Sequence, residues 1–88
     1  MPDRNHASTE TRVTSVVRRL LAEQSIDRDV RPTDDLREAG LSSLTFVNLV
    51  LSVEAEFGLV VPERSITPGN FRTVSSISDL VTTLLEKV

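Results

Sequence analysis

Ser43–Phe57, SLTFVNLVLSVEAEF, is the stretch whose reading decides the fold. Wound at 100° per residue from Leu44, its apolar residues fall into two stripes: Leu49, Val53, Phe46, Phe57 and Val50 between about 140° and 240°, and Val47, Leu51, Leu44 and Ala55 between about 300° and 20°. Thr45, Asn48, Ser52 and Glu56 form a polar strip between them, and Glu54 interrupts the other flank. The spacing predicts one helix over the whole stretch, ended by Gly58. The stripe with both phenylalanines is larger and is assigned to the core. A surface helix needs only one such stripe. The second has two readings: the preceding loop folds back over it, or Leu44, Val47 and Leu51 stay exposed as a docking surface.

Two further helices follow from the same periodicity. Val13, Val16, Val17, Leu20 and Leu21 repeat at helical spacing, predicting a helix from Ser8 to about Gln24, capped by Ser8 or Thr9. Ile77, Leu80, Val81, Leu84, Leu85 and Val88 predict the last helix, with Thr73 or Ser75 as cap. Residues 1–7 are polar and aperiodic and are expected to be a flexible tail, leaving 8–88 as one domain. Between the first two long helices, residues 25–42 form a long connection in which Ile26, Val30, Leu36 and Leu41 are expected to touch the core. A short turn over Asp34–Glu38, capped by Thr33 or Asp34, fits there. Thr67-Pro68 resembles a cap followed by proline in the first helical position, which places a short helix at Pro68–Arg72. The fold class is therefore all-α: a small bundle of three long helices and one short one.

Composition removes most chemistry. The 88 residues contain no cysteine and one histidine, His6, so no thiol nucleophile, Ser-His-Asp set or usual transition-metal site can be assembled. Ten Lys+Arg against 13 Asp+Glu give a formal charge of −3, the wrong sign for a phosphate-binding face, so no nucleic-acid partner is expected. No apolar run approaches the roughly 20 residues that span a bilayer, and the first ten residues lack a signal-peptide core. A chain this short buries roughly 60–65% of its unfolded surface, which suits one modest core. The expectation is a cytoplasmic monomer with no catalytic residues and no metal.

The start of the central helix has two readings. Gly40-Leu41-Ser42-Ser43-Leu44 puts a serine at the loop–helix boundary, where unpaired amides and the helix dipole favour a phosphate. A serine there is also an ordinary N-cap.

Taken with Val47-Asn48-Leu49-Val50, Glu54-Ala55-Glu56-Phe57-Gly58 and Val61-Pro62, this segment resembles the acyl and peptidyl carrier-protein family, over about residues 10–86. The family motif is Gly-x-Asp-Ser-Leu, then a helix ending in Glu-x-Phe or Glu-x-x-Phe and an Ile/Val-Pro link. The resemblance implies that Ser43 receives a 4′-phosphopantetheine arm from coenzyme A, making the chain a phosphoprotein. The arm's thiol would hold acyl or aminoacyl cargo as a thioester for enzymes acting in trans. Implied partners are a phosphopantetheinyl transferase, a cargo-loading ligase or acyltransferase, and downstream synthase enzymes of specialised-metabolite or fatty-acid/polyketide-type biosynthesis.

The sequence departs from the family pattern at three places. Ser42 stands where the family has Asp. Thr45 and Asn48 replace the acidic residues usual on the front of this helix in fatty-acid carriers, so electrostatic docking should be weaker than for such a carrier and apolar contacts should count for more. The segment Ser65–Asn70 is slightly long for a fatty-acid carrier and closer to discrete carriers serving amino-acid-activating enzymes or specialised-metabolite synthases. Leu44, Val47, Leu51, Leu41 and Ile66 are the expected docking residues. Asp34-Asp35 reads as a solvated turn cap, Arg18-Arg19 as a solvated helix face, and Phe71 and Ile66 as core fillers. The competing class is a non-catalytic helical interaction module in which Ser43 is a plain N-cap.

Overall fold

A computed structural model describes residues 4–86, with side chains from residue 9 onward. In chain order the α-helices are α1 (Arg4–Glu23), α2 (Leu36–Ala39), α3 (Ser43–Phe57) and α4 (Val74–Glu86), with a 3₁₀ turn at Glu63–Ser65 between the last two. No strand occurs among the described residues.

Helix α1 packs against both α3 and α4. Its stripe Val13, Val16, Val17, Leu20 and Leu21 is buried against Leu49, Val50 and Val53 of α3 and Val74, Ile77 and Val81 of α4 in one core. Each such side chain removed from water contributes about 1.5–3 kcal/mol. Arg12 reinforces the α1–α3 contact: its guanidinium lies 4.4 Å over the Phe57 ring and its Nε donates to Glu56 at 2.7 Å.

The helix ends follow from local chemistry. Past α1, Ser25 takes the left-handed conformation (φ 63°), Ser25 N–H bonds to Ala22 C=O and Ile26 N–H to Leu21 C=O. This is the paired closure usually given to glycine. Gly58 (φ 63°) also ends α3 in the left-handed conformation, here with its N–H and that of Leu59 both reaching Glu54 C=O. Thr73 Oγ1 accepts from Ser76 N–H at 2.9 Å and caps α4.

Several expectations are corrected. Helix α1 starts at Arg4, not Ser8, because nothing between Asn5 and Ala7 breaks a helix. Residues 1–3 of the expected tail, and Val88 of the last apolar repeat, lie outside the described residues. Asp35, not Thr33 or Asp34, caps α2, accepting from Arg37 and Glu38 N–H. Asp34 instead accepts from Arg31 N–H and shapes the turn before it. No helix forms over Pro68–Arg72. Thr67 accepts from Asn70 and Phe71 N–H, closing a single turn, but Gly69 and Asn70 are poor helix formers and the turn does not propagate.

The connection between α1 and α3 is pinned as expected, with Val30, Leu36 and Leu41 buried and Ile26 packed against the core. Leu36 N–H donates to Arg72 C=O and Ser75 N–H to Pro32 C=O, each at 2.9 Å. These bonds lace the connection to the segment entering α4.

Candidate functional site

The site lies where α2, the first turn of α3 and the segment 66–72 converge. Gly40 closes α2 at φ 121°, and a Cβ there would stand 2.6 Å from Ile26 Cδ1. The chain thus turns tightly over Ile26 before delivering Leu41 to the core and Ser42 to the start of α3.

Ser42, in extended conformation (φ −85°, ψ 170°), is the N-cap of α3. Its Oγ accepts from Thr45 N–H at 3.3 Å and shares a second hydrogen bond with Thr45 Oγ1 at 3.1 Å. That second bond explains why Thr45, in the polar strip of the wheel, is buried. Ser43 is then the first residue inside the helix. Its side chain is exposed and its hydroxyl makes no hydrogen bond among the described residues. The plain-cap role considered for Ser43 is therefore corrected: Ser42 performs it.

Ser43 falls at about 260° on the α3 wheel, between the two stripes. On one side of it is a cavity of about 330 Å³ whose apolar walls include Leu41, Phe46, Leu49, Ile66 and Phe71. Phe46 and Phe71 meet there edge to face, centroids 5.6 Å apart at 70°. Phe71 is buried and Ile66 half-buried, so both fill core and also wall the cavity. On the other side is a shallower hollow bounded by Asp35, Arg37 and Glu38.

The second stripe is not covered by the connecting loop. Leu44 is 87% exposed, Val47 59% and Leu51 57%, making a continuous apolar track that begins beside Ser43. Leu41 does not share that surface; it is buried and reaches the site only as cavity wall. Ile66 stands at the edge of the cavity.

The track carries little charge. The first turn of α3 has no acidic residue, and its two acids near the end are engaged: Glu56 with Arg12, Glu54 Oε2 with Val61 N–H at 2.8 Å. The charged groups that line the cavity with Ser43 are instead Arg37 and Arg72. Arg72 Nε pairs with Asp35 Oδ2 at 3.3 Å. Partial burial alone would raise the Asp35 carboxyl, but the Arg37 and Glu38 amides and the Arg72 guanidinium together hold it below its ordinary value.

The sequence reading missed Arg37 and Arg72, and it took Asp34-Asp35 as a turn cap without singling out Asp35. Asp35-Leu36-Arg37-Glu38 has the acid-three-residues-on spacing of a capping box, which was the available signal for the cap. Nothing in the linear pattern brings Arg72 to Ser43. No cluster of metal-ligating side chains occurs among the described residues, and no helix among them is long and apolar enough to cross a membrane.

Residues 11–84 match the family model described as a phosphopantetheine attachment site. Over 74 residues the chain is 45% identical to aminoacyl carrier protein 2 of Bradyrhizobium diazoefficiens, covering 84% of this chain and 83% of that protein. Aminoacyl carrier protein 1 of the same organism is 36% identical over 81 residues, covering 92% and 90%. The fold matches a chain in the crystal structure of Bradyrhizobium japonicum glycine:[carrier protein] ligase complexed with its cognate carrier protein and an analogue of glycyl adenylate. There the TM-score is 0.79 at 36% identity, covering 86% of this chain and 97% of that one. A second such complex, with glycylated carrier protein, matches at TM-score 0.77 and 34% identity, covering 83% and 97%.

Proposed function

The chain belongs to the phosphopantetheine-attachment family, and we propose that its arm is joined to Ser43 and carries an aminoacyl group. A carrier of this family performs no catalysis of its own; it holds cargo for enzymes that act in trans. The arm supplies a thiol, which a chain without cysteine does not have. The residues at the site fit the arm: a serine hydroxyl exposed at a helix start and free of any capping duty, beside a cavity.

The observation that carries the assignment is the division of labour between adjacent serines. Ser42 holds the cap, and the Ser43 hydroxyl faces solvent with no hydrogen-bond partner among the described residues. A transferase can therefore take Ser43 without unwinding the helix. A phosphodiester on Ser43 would also sit by the unpaired first amides of α3, where negative charge is favoured.

Aminoacyl cargo is supported by two relatives named as aminoacyl carriers and by neighbours bound to an amino-acid ligase. The partner set is then a phosphopantetheinyl transferase, an ATP-dependent amino-acid:carrier ligase and a downstream acceptor enzyme. Docking runs along Leu44, Val47 and Leu51, with Ile66 at the margin, and rests on apolar contact rather than on an acidic helix face. The working form is a monomer acting in the cytoplasm.

The test is intact mass before and after incubation with a phosphopantetheinyl transferase and coenzyme A. One added phosphopantetheine, lost in Ser43→Ala and kept in Ser42→Ala, is the expected result. An increment that survives Ser43→Ala would remove the assignment. Incubation of the holo-protein with a glycine:carrier ligase, ATP and single amino acids then reads cargo class as a second mass step.

A further inference from the structure

We propose that the Arg37 guanidinium holds the phosphodiester of the arm, fixing the root of the arm at the lip of the cavity. This rests on attachment at Ser43.

The cavity and the shallower hollow share only four wall residues: Arg37, Leu41, Ser42 and Ser43. Leu41 is buried and Ser42 is occupied by the cap, so Arg37 is the one charged residue that lines both hollows together with Ser43. Its guanidinium is exposed and makes no hydrogen bond or ion pair among the described residues. Arg72, the other cation on the cavity wall, is committed to Asp35. Arginine matches phosphate oxygens with two parallel N–H donors, a geometry that ammonium groups do not offer.

The backbone beneath Arg37 is fixed. Asp35 accepts the Arg37 amide at 2.9 Å, Leu36 N–H is bonded to Arg72 C=O, and Leu36 and Ala39 on either side are buried. The side chain therefore leaves from a set point facing the hollow that Ser43 borders. Two carboxylates share that hollow. Asp35 is neutralised by Arg72 and two amides, which leaves Glu38 as the group that competes for Arg37.

A held phosphate changes what the arm can do. A flexible linker samples its full reach around its anchor, whereas one fixed at its first bonds sweeps a cone directed by the anchor. Arg37 on the α2 side draws the root toward the cavity and leaves Leu44, Val47 and Leu51 clear for a partner.

The experiment uses holo-protein whose single added mass is confirmed and shown to be absent in Ser43→Ala. Phosphorus NMR is then recorded for wild type, Arg37→Ala, Arg37→Lys, Glu38→Gln and the remote control Arg19→Ala, each checked for helicity. In Arg37→Ala the phosphodiester line is expected to narrow and move to the position of a free diester. Arg37→Lys keeps part of the shift, Glu38→Gln enlarges it, and Arg19→Ala leaves it unchanged. Raising salt from 0.1 M to 1 M shortens screening from about 10 Å to about 3 Å and should carry wild type toward Arg37→Ala. An identical line in loaded wild type and loaded Arg37→Ala overturns the proposal while leaving the attachment standing. A wild-type line indifferent to salt overturns it even if Arg37→Ala does not fold. No added mass at Ser43 removes the attachment itself, and the role of Arg37 with it.

Discussion

Ser42 Oγ accepts the Thr45 amide at 3.3 Å, and that bond separates the structural serine from its neighbour. Removing it exposes an unpaired amide in the first turn of α3. Ser42→Ala is expected to cost about 1 kcal/mol, a fall in Tm of about 4–8 °C for a domain of this size, while phosphopantetheine uptake persists. Ser43→Ala is expected to do the reverse, with stability within about 0.5 kcal/mol of wild type and no mass gain. Ser42→Asp keeps a cap acceptor and should restore the Tm. Thermal melts and intact mass on the same preparations check all three.

Val47→Arg and Leu51→Arg place a charge on the exposed track without touching the core. Each side chain already spends more than half its surface in water, so Tm should move little. Ligase-catalysed loading, read by mass against time, should slow. An equal fall in Tm and in loading would mean that the track is structural rather than a docking face.

Ser25 and Gly40 both adjoin Ile26, one along the chain and one in space, and predict opposite signs. Ser25 holds a left-handed φ of 63° that glycine adopts freely, so Ser25→Gly should stabilise by roughly 0.5–1 kcal/mol. Gly40 holds φ 121°, and an added Cβ would meet Ile26 Cδ1 at 2.6 Å. Gly40→Ala should therefore destabilise by roughly 1–3 kcal/mol. Because Gly40 sets the path into Ser42 and Ser43, its variant should also slow the transferase. Urea midpoints and transferase rates report the two effects.

Asp35 links stability to acid. Its carboxyl is held below the ordinary value of 3.8, so the folded state binds this proton less readily than the unfolded chain. The stabilisation is complete above the ordinary value. It is lost progressively as pH falls toward the folded value and is absent below that. Protonation removes both the α2 cap and the Arg72 pair. Asp35→Asn should flatten this part of the stability-against-pH curve, measured by urea unfolding at stepped pH.

Helix α3 was readable from its residues because two apolar stripes and a terminal glycine leave little choice of period or end. Which residues share a face is a property of the helix alone. What covers that face depends on the path of residues 25–42, and that path was not legible in the pattern. The exposure of Leu44 and the burial of Leu41, three positions apart, came from it. The short helix failed for a different reason: Thr67-Pro68 is a sound helix start, but Gly69-Asn70 removes the continuation. At the candidate site, the Gly40–Leu44 motif singles out Ser43 for the proposed attachment, whereas Arg37 and Arg72 join the same cavity wall only through α2 and the lacing of Leu36 to Arg72. Linear spacing carries no trace of that meeting.

The uncharged track along α3 also governs how the protein behaves in bulk. Near its isoelectric point of about 5.0 the net repulsion between molecules disappears. Leu44, Val47 and Leu51 then form a sticky strip with no charge on the first turn to hold a second strip away. Solubility should be lowest in mildly acid solution and should recover on either side. The track proposed for docking is thus also the strip from which precipitation should start.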